Sequence, residues 1–250
     1  MHGADPRTHS TDRPPVPSRL RGLTVVLPCL DEEANVAAAI ERSAAAARAC
    51  SDEYQIVVVD DGSTDDTLIL AADHAAADPR VRLVVHAHNR GYGHALRSGI
   101  ESARMEWVLL MDADLQYDPG ELVDFVAPAA EAEAIWGRRI LRSDAARRRF
   151  AAAVWNRLVR ALFDLPVDDV DCGFKLIHGD LLRSLPLESG GTLVSTELAV
   201  RCRAAGACFA QVGVHHHPRT GGSQKAGTIA ALRELARRRR ALQQVARSSG

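Results

Sequence analysis

The chain has 250 residues, with 31 Lys and Arg against 32 Asp and Glu, a formal net charge of −1 and 46% apolar residues. This length and apolar content suit one large domain with tails. The balanced charge excludes a polyanion binder working through overall charge, so no nucleic-acid partner is expected.

Residues 1–21 are rich in Pro and polar types and hold no apolar stretch for a signal peptide, so they are expected to form a disordered leader. No run of about eighteen apolar residues occurs, and no bilayer-spanning helix is expected. The five cysteines, Cys29, Cys50, Cys172, Cys202 and Cys208, show neither a CxxC pair nor any other zinc spacing. They are read as reduced, mostly buried thiols of a cytoplasmic protein.

Strand and helix patterns then alternate. Leu23–Pro28 (LTVVLP) reads as a buried strand and Glu32–Cys50 as an Ala-rich helix. Gln55–Asp60 (QIVVVD) is a second strand, and its GSTDDT turn predicts a helix capped by Ser63 with Asp66 three residues on. Val81–His86 is a third strand, GYGHALRSGIESAR a third helix and WVLLMD a fourth strand. Continuous Val/Ile/Leu strands alternating with helices predict a parallel sheet covered on both faces, with ligands beyond the carboxyl ends of its strands.

The fourth strand runs into DADLQ, where Asp112 and Asp114 stand one residue apart. In extended chain such side chains point the same way, so both can meet one divalent ion that also holds a diphosphate. An acidic capping turn is the ordinary alternative for a lone DxD. Asp60 and Asp61, ending another apolar strand, favour the functional reading.

In the second half, IWGRRI predicts a further strand, Ala145–Leu162 a basic amphipathic helix, and DVDCGFKLIHGDLL a strand, turn and helix. TLVSTELAVRCRAAG predicts another helix, ACFAQVGVHHHP a late strand, and TIAALRELARRRRALQQVARS a helix with a dense Arg face. Three adjacent histidines in an extended chain cannot all face one ion, so the HHH run is not read as a metal site.

The blocks VVLPCLDEEANV, VVVDDGSTDDT, NRGYGHALRSGI, MDADLQYDP, DCGFKL and RTGGSQK, in this order, resemble family 2 glycosyltransferases of the GT-A fold. They are most similar to the dolichol-phosphate or polyprenyl-phosphate mannose synthase branch. The resemblance covers residues 22–227, with a basic helix over 228–250 after it. It implies an α/β, Rossmann-like GT-A domain with a central, mostly parallel sheet flanked by helices.

The resemblance also implies roles. Pro28, Leu30, Glu32 and Asp60 hold base and ribose, with Asp61 on the same donor side. Asp112, Asp114 and Gln116 hold Mg²⁺ or Mn²⁺. Arg139 and Arg149 seat the acceptor phosphate, Arg138, Arg147 and Arg148 being their basic neighbours. Ala153 departs from the family pattern, where a small hydroxyl residue is expected. Glu197 lies on the acceptor side, and it or Asp171 is the candidate base if the acceptor is a hydroxyl. Arg219, with Gly221, Gly222, Ser223 and Lys225, forms a lid over the diphosphate.

The expected activity is metal-dependent, inverting transfer of a hexose from a GDP-mannose or UDP-glucose type donor to a polyprenyl phosphate. A soluble hydroxyl acceptor and a non-catalytic nucleotide-sugar-binding regulator remain as alternatives. The basic helix over 228–250 suggests peripheral contact with the cytoplasmic membrane face, with a solvated Arg face as the alternative.

Overall fold

The structure, a computed structural model, describes residues 18–142, 146–219 and 228–247, without the side chains of residues 141, 142, 146–148, 228 and 229. Its strands are β1 (Leu20–Cys29), β2 (Ser51–Asp60), β3 (Val81–Val85), β4 (Trp107–Leu110), β5 (Ala134–Arg142), β6 (Lys175–His178) and β7 (Phe209–His216). Its helices are α1 (Val36–Cys50), α2 (Thr67–Ala77), α3 (Tyr92–Ser102), the single turn α4 (Val123–Val126), α5 (Ala146–Phe163), α6 (Gly179–Ser184), α7 (Val194–Ala204) and α8 (Thr228–Arg247).

The strands form one sheet in the order β3-β2-β1-β4-β6-β5-β7. β1 to β4 are mutually parallel, whereas β6 is antiparallel to both neighbours, so β5 and β7 point the same way as β1. The carboxyl ends of six strands and the start of β6 therefore share one edge.

Alternation along each strand divides the core. Val25, Leu27, Ile56, Val58 and Leu109 face α1, α2 and α4, against Val36, Ile40, Ala71 and Phe125. Val26, Val57, Val59, Val108 and Leu110 belong to the opposite layer, with Leu96 of α3, Trp155 and Val159 of α5, Leu198 of α7 and Leu235 and Leu242 of α8. Each central strand is thus apolar on both sides, the pattern of a sheet covered by helices on two faces.

Several predicted boundaries move. β1 begins at Leu20, inside the span assigned to the leader. α1 begins at Val36 because Asp31 takes a left-handed φ of 53° and residues 31–35 form a turn. Ser63 does not cap α2: its hydroxyl accepts from the Asp31 amide at 3.0 Å, and the helix starts at Thr67 after Asp66. β4 stops at Leu110, so Asp112 and Asp114 lie beyond the strand, in a loop where Leu115 has a φ of 58°.

α8 is part of the packed body. Leu242 is 1% exposed and Leu235 5%, within the core layer shared with α5 and α7. Leu235 and Leu242, on the apolar face by which this helix was expected to touch a membrane, are thus packed against the protein's own core. Among the described residues no helix is long and apolar enough to cross a membrane.

Candidate active site

The turns after β1 and β2 are laced together by short polar side chains. The Asp31 carboxylate accepts from the Thr64 amide at 2.8 Å, the Thr67 hydroxyl from the Glu32 amide at 2.8 Å, and Asp65 from the Glu33 amide at 3.2 Å. The buried Asp60 carboxylate accepts from the Ser63 amide at 3.3 Å, closing its own turn. These bonds hold the turn bearing Glu32 against the turn that follows Asp60, with Pro28 and Leu30 only partly buried at the end of β1.

Glu32 is buried, and its carboxylate accepts from Asn35 Nδ2 at 2.8 Å and from the Arg219 guanidinium. Burial raises its pKa, opposed by the Asn35 hydrogen bond and the Arg219 charge. Arg219 follows β7, and its other terminal nitrogen lies 3.5 Å from Asp114 Oδ2. One guanidinium therefore spans carboxylates delivered by the β1 turn and the β4 loop. Gly221, Gly222, Ser223 and Lys225, expected to form a lid with it, lie outside the described residues.

Asp112 accepts a hydrogen bond from the Tyr92 hydroxyl at 2.9 Å. Burial pushes its carboxyl up, while Lys175, Tyr92, Arg139 and Arg219 pull it down. Asp114 is pushed up to about 7, first by burial and then by the negative charge of Asp112. Two desolvated carboxylates, one raising the other, suit a cation between them, and hard oxygen donors suit Mg²⁺ or Mn²⁺. Among the described residues no group of three His, Cys, Asp or Glu could hold a metal. Such a pair would suit an ion that draws its remaining ligands from phosphates and water. Gln116 Nε2 donates to the His217 carbonyl at 3.1 Å, tying the DADLQ loop to the end of β7.

The start of α3 backs this pair. Gly91, at φ 100°, allows the chain to turn where a Cβ would lie 2.6 Å from the Gly190 carbonyl. The buried Asp61 holds that turn by accepting from the amides of Arg90 and Gly91 at 3.0 and 2.8 Å and from His86 at 2.6 Å. Its carboxylate is engaged within the protein, which corrects its expected place among the donor contacts. From the other side, Gly173 lets the chain press on Asp112, since a Cβ there would sit 2.3 Å from Oδ2.

Lys175, on β6, is 3% exposed and donates to the Cys172 carbonyl, with its ammonium 5.5 Å from the Trp136 ring centroid. Burial lowers its pKa; Cys172, Asp112, Asp171 and Asp169 oppose that. Tyr92 and Lys175 were not among the site residues expected from the sequence. Lys175 left one signal there: an isolated lysine in an otherwise apolar strand, FKLI.

The acceptor-side expectations divide. Arg139 is gripped by Asp169, with Nε and Nη2 at 2.6 and 2.5 Å from the two carboxylate oxygens, and Asn156 Nδ2 reaches Asp169 at 3.3 Å. Burial works against the Arg139 charge, but Asp169 outweighs it and raises the pKa. This guanidinium is thus held in an internal pair, with its side chain 11% exposed. Arg138, Arg149, Ala153 and Asp171 are exposed, while the Arg147 and Arg148 side chains lie outside the description.

Glu197 is corrected as a candidate base. It is 0% exposed, and its carboxylate accepts from the Glu188 amide at 3.1 Å, the Ser189 amide at 2.6 Å and Arg201 Nε at 2.8 Å. Burial alone would raise its pKa, yet the Ser189, Arg201 and Glu188 hydrogen bonds outweigh it and lower the pKa. The histidine run points in several directions: His215 Nδ1 lies 2.7 Å from Glu121, His216 meets the Tyr117 ring edge at 5.3 Å, and the His217 amide donates to Gln116.

Residues 24–185 match the family described as Glycosyl transferase family 2. An undecaprenyl-phosphate 4-deoxy-4-formamido-L-arabinose transferase of Shewanella sediminis is 30% identical over 208 residues, 82% of this chain but 62% of that relative. The chain thus spans less than two-thirds of that protein's length. A glycosyltransferase of Mycobacterium tuberculosis is 34% identical over 209 residues, 81% of this chain and 88% of the relative. Among solved structures, glucosyl-3-phosphoglycerate synthase from Mycobacterium tuberculosis, in complex with Mn²⁺, UDP and glucosyl-3-phosphoglycerate, superposes with a TM-score of 0.69 at 22% identity, covering 90% of this chain and 80% of that one. This likeness speaks for the GT-A fold.

Proposed function

The chain belongs to glycosyl transferase family 2, and from that premise we propose that it moves a hexose from a GDP-mannose or UDP-glucose type donor to a polyprenyl phosphate, with inversion. The observation that carries this reading is the meeting of Glu32, Asp112, Asp114 and Arg219 at one sheet edge, brought there by the ends of β1, β4 and β7.

In this reading, base and ribose lie against Pro28, Leu30, Glu32 and Asp60, whose carboxylates accept from hydroxyl and N–H groups. Asp112 and Asp114, with Gln116 beside them, hold Mg²⁺ or Mn²⁺, which would offset the charge of the departing diphosphate. Arg219 exchanges its carboxylate partners for the diphosphate, with Ser223 and Lys225 following it in sequence. An acceptor phosphate oxygen attacks the anomeric carbon from the face opposite the diphosphate. The new C–O bond forms as the bond to the leaving oxygen breaks, and the nucleoside diphosphate departs with the electron pair. A phosphate acceptor is already anionic at neutral pH, so it needs positioning by exposed cations such as Arg149 and Arg138 and no general base.

The test is incubation of the full chain with radiolabelled nucleotide sugars, Mg²⁺ or Mn²⁺ and polyprenyl phosphate. Labelled lipid from at least one donor is expected, and none from any common donor would overturn the acceptor assignment.

One observation favours a second reading, a hydroxyl acceptor. Asp171 is exposed just before β6, and its charge reaches both Tyr92 and Lys175 at the cleft. A hydroxyl needs a base there, so Asp171→Asn should abolish transfer to soluble acceptors with donor binding intact. An unchanged transfer rate in that variant rules this reading out.

A further inference from the structure

α5 divides into two faces. Trp155, Val159 and Phe163 are 5%, 0% and 2% exposed and seal one core layer. On the outer face, Phe150 is 72% exposed, Val154 51% and Leu158 37%. Their four-residue spacing aligns them as one stripe. The other exposed large hydrophobics, Ile69 of α2, Val85 of β3, Val123 of α4, Ile140 of β5 and Leu232 of α8, stand one to an element, which is ordinary for a protein surface.

The charges on α5 itself have one sign, with Asp164, Asp168 and Asp169 following the helix. Between Ala146 and Phe163 there is no Asp or Glu, but there are five arginines: Arg147, Arg148, Arg149, Arg157 and Arg160. Arg157 and Arg160, with Arg138 of β5, also line an open depression of about 650 Å³ beside the helix. Arg160 pairs with Asp168 at 2.8 Å, while Arg138 and Arg157 are exposed.

We propose that the outer face of α5 docks this protein on an anionic lipid bilayer. The stripe enters the boundary between headgroups and acyl chains, and the arginines meet lipid phosphates. The charge pattern selects this occupant. A second copy meeting the stripe about a two-fold axis would bring arginines against arginines, whereas an anionic surface complements them along the whole helix.

The geometry gives the docking a use. β5 leads into α5 at the edge where the carboxylates lie, and the Arg139 charge at that strand end reaches Asp112. Docking through α5 therefore brings the cleft's edge toward the bilayer. In this purpose the proposal rests on the lipid-phosphate acceptor proposed above, while its physical basis is the α5 surface alone.

The test is co-sedimentation of the full chain with vesicles of phosphatidylcholine alone and with about one-third phosphatidylglycerol, at low and physiological salt. Four variants are compared with the parent: the triple Phe150→Ser, Val154→Ser, Leu158→Ser; the triple with Ala in place of Ser; Arg157→Glu; and Leu232→Ser as a control. Thermal melting of each checks the fold.

The parent is expected to pellet with anionic vesicles only, the triples and Arg157→Glu to lose binding by at least about tenfold, and Leu232→Ser to behave as the parent. The proposal is overturned if the parent ignores anionic vesicles, or if the triples bind like it. It also falls if light scattering shows a parent dimer that the triples convert to monomer, which would make the stripe a contact between copies. The two proposals fail separately. Vesicle binding without labelled lipid removes the acceptor assignment and leaves the docking, while labelled lipid from a chain that ignores vesicles does the reverse.

Discussion

The Asp112 carboxylate takes one hydrogen bond from Tyr92, abuts Gly173 and feels the charge of Lys175. Its direction is therefore set before any ligand arrives. Tyr92→Phe keeps the ring and removes only the hydroxyl, so transfer should fall about tenfold to a hundredfold, matching the roughly 1.5–3 kcal/mol of a hydrogen bond to a charged group. Steady-state kinetics checks this, with melting unchanged within a few degrees; a parental rate means the hydroxyl does not orient Asp112. Asp114 gives a pH signature. Its carboxyl is raised to about 7 from an ordinary 3.8, so between those values the folded chain holds a proton that the unfolded chain has released. Stability contributed at this group falls as pH rises through that window. Without metal, Asp114→Asn should melt higher than the parent at about pH 8, and the gap should close toward pH 4. A gap that ignores pH contradicts the raised value. Asp112 and Asp114 could be read from the chain as an oxygen-donor pair; that Asp112 needs a phenol from α3 could not, because the residues are twenty positions apart in sequence.

At the scale of elements, α7 shows how a charged residue escapes a sequence reading. Every position from Val194 to Cys202 is buried, so the helix carries no polar stripe to mark an outward face. Glu197 on such a helix is a clamp: it fixes the Glu188–Ser189 backbone, and the next residue, Gly190, accepts from the Gly93 amide at 2.9 Å. Arg238 of α8 adds a second cation 3.6 Å from the same carboxylate. Glu197→Gln leaves those arginines with less than their charge partner. It should cost about 3–5 kcal/mol, or roughly 10 °C in melting temperature for a chain of this size. A scanning calorimetry trace at the parental temperature would contradict the clamp. The turns at the sheet edge follow the same logic. GSTDDT reads locally as a helix start capped by Ser63, but Ser63 and Thr64 bond instead to the turn after β1, some thirty residues away, and Asp65 joins that turn to the Thr67 amide at the start of α2.

At the scale of the whole molecule, α8 closes the layer formed by α5 and α7, with Leu235 and Leu242 inside it. Deleting residues 228–250 should therefore uncover core leucines and give a protein that aggregates or melts well below the parent, as followed by light scattering and thermal shift. A soluble deletion with the parental melting temperature would make α8 an appendage. The sequence by itself determined the alternation of strands and helices, the two-faced apolar sheet and the edge at which Asp60, Asp112 and Asp114 gather. Those features follow from local periodicity and from the rule that parallel strands end together. Only the tertiary structure decided which charges are available. Arg139 and Glu197 are closed into internal pairs, Arg219 bridges two strand ends, and α5 rather than α8 keeps an uncovered apolar stripe. Whether a charge is free depends on a partner tens of residues away, and which face of a basic helix is covered depends on what packs against it; neither is encoded in a residue's near neighbours.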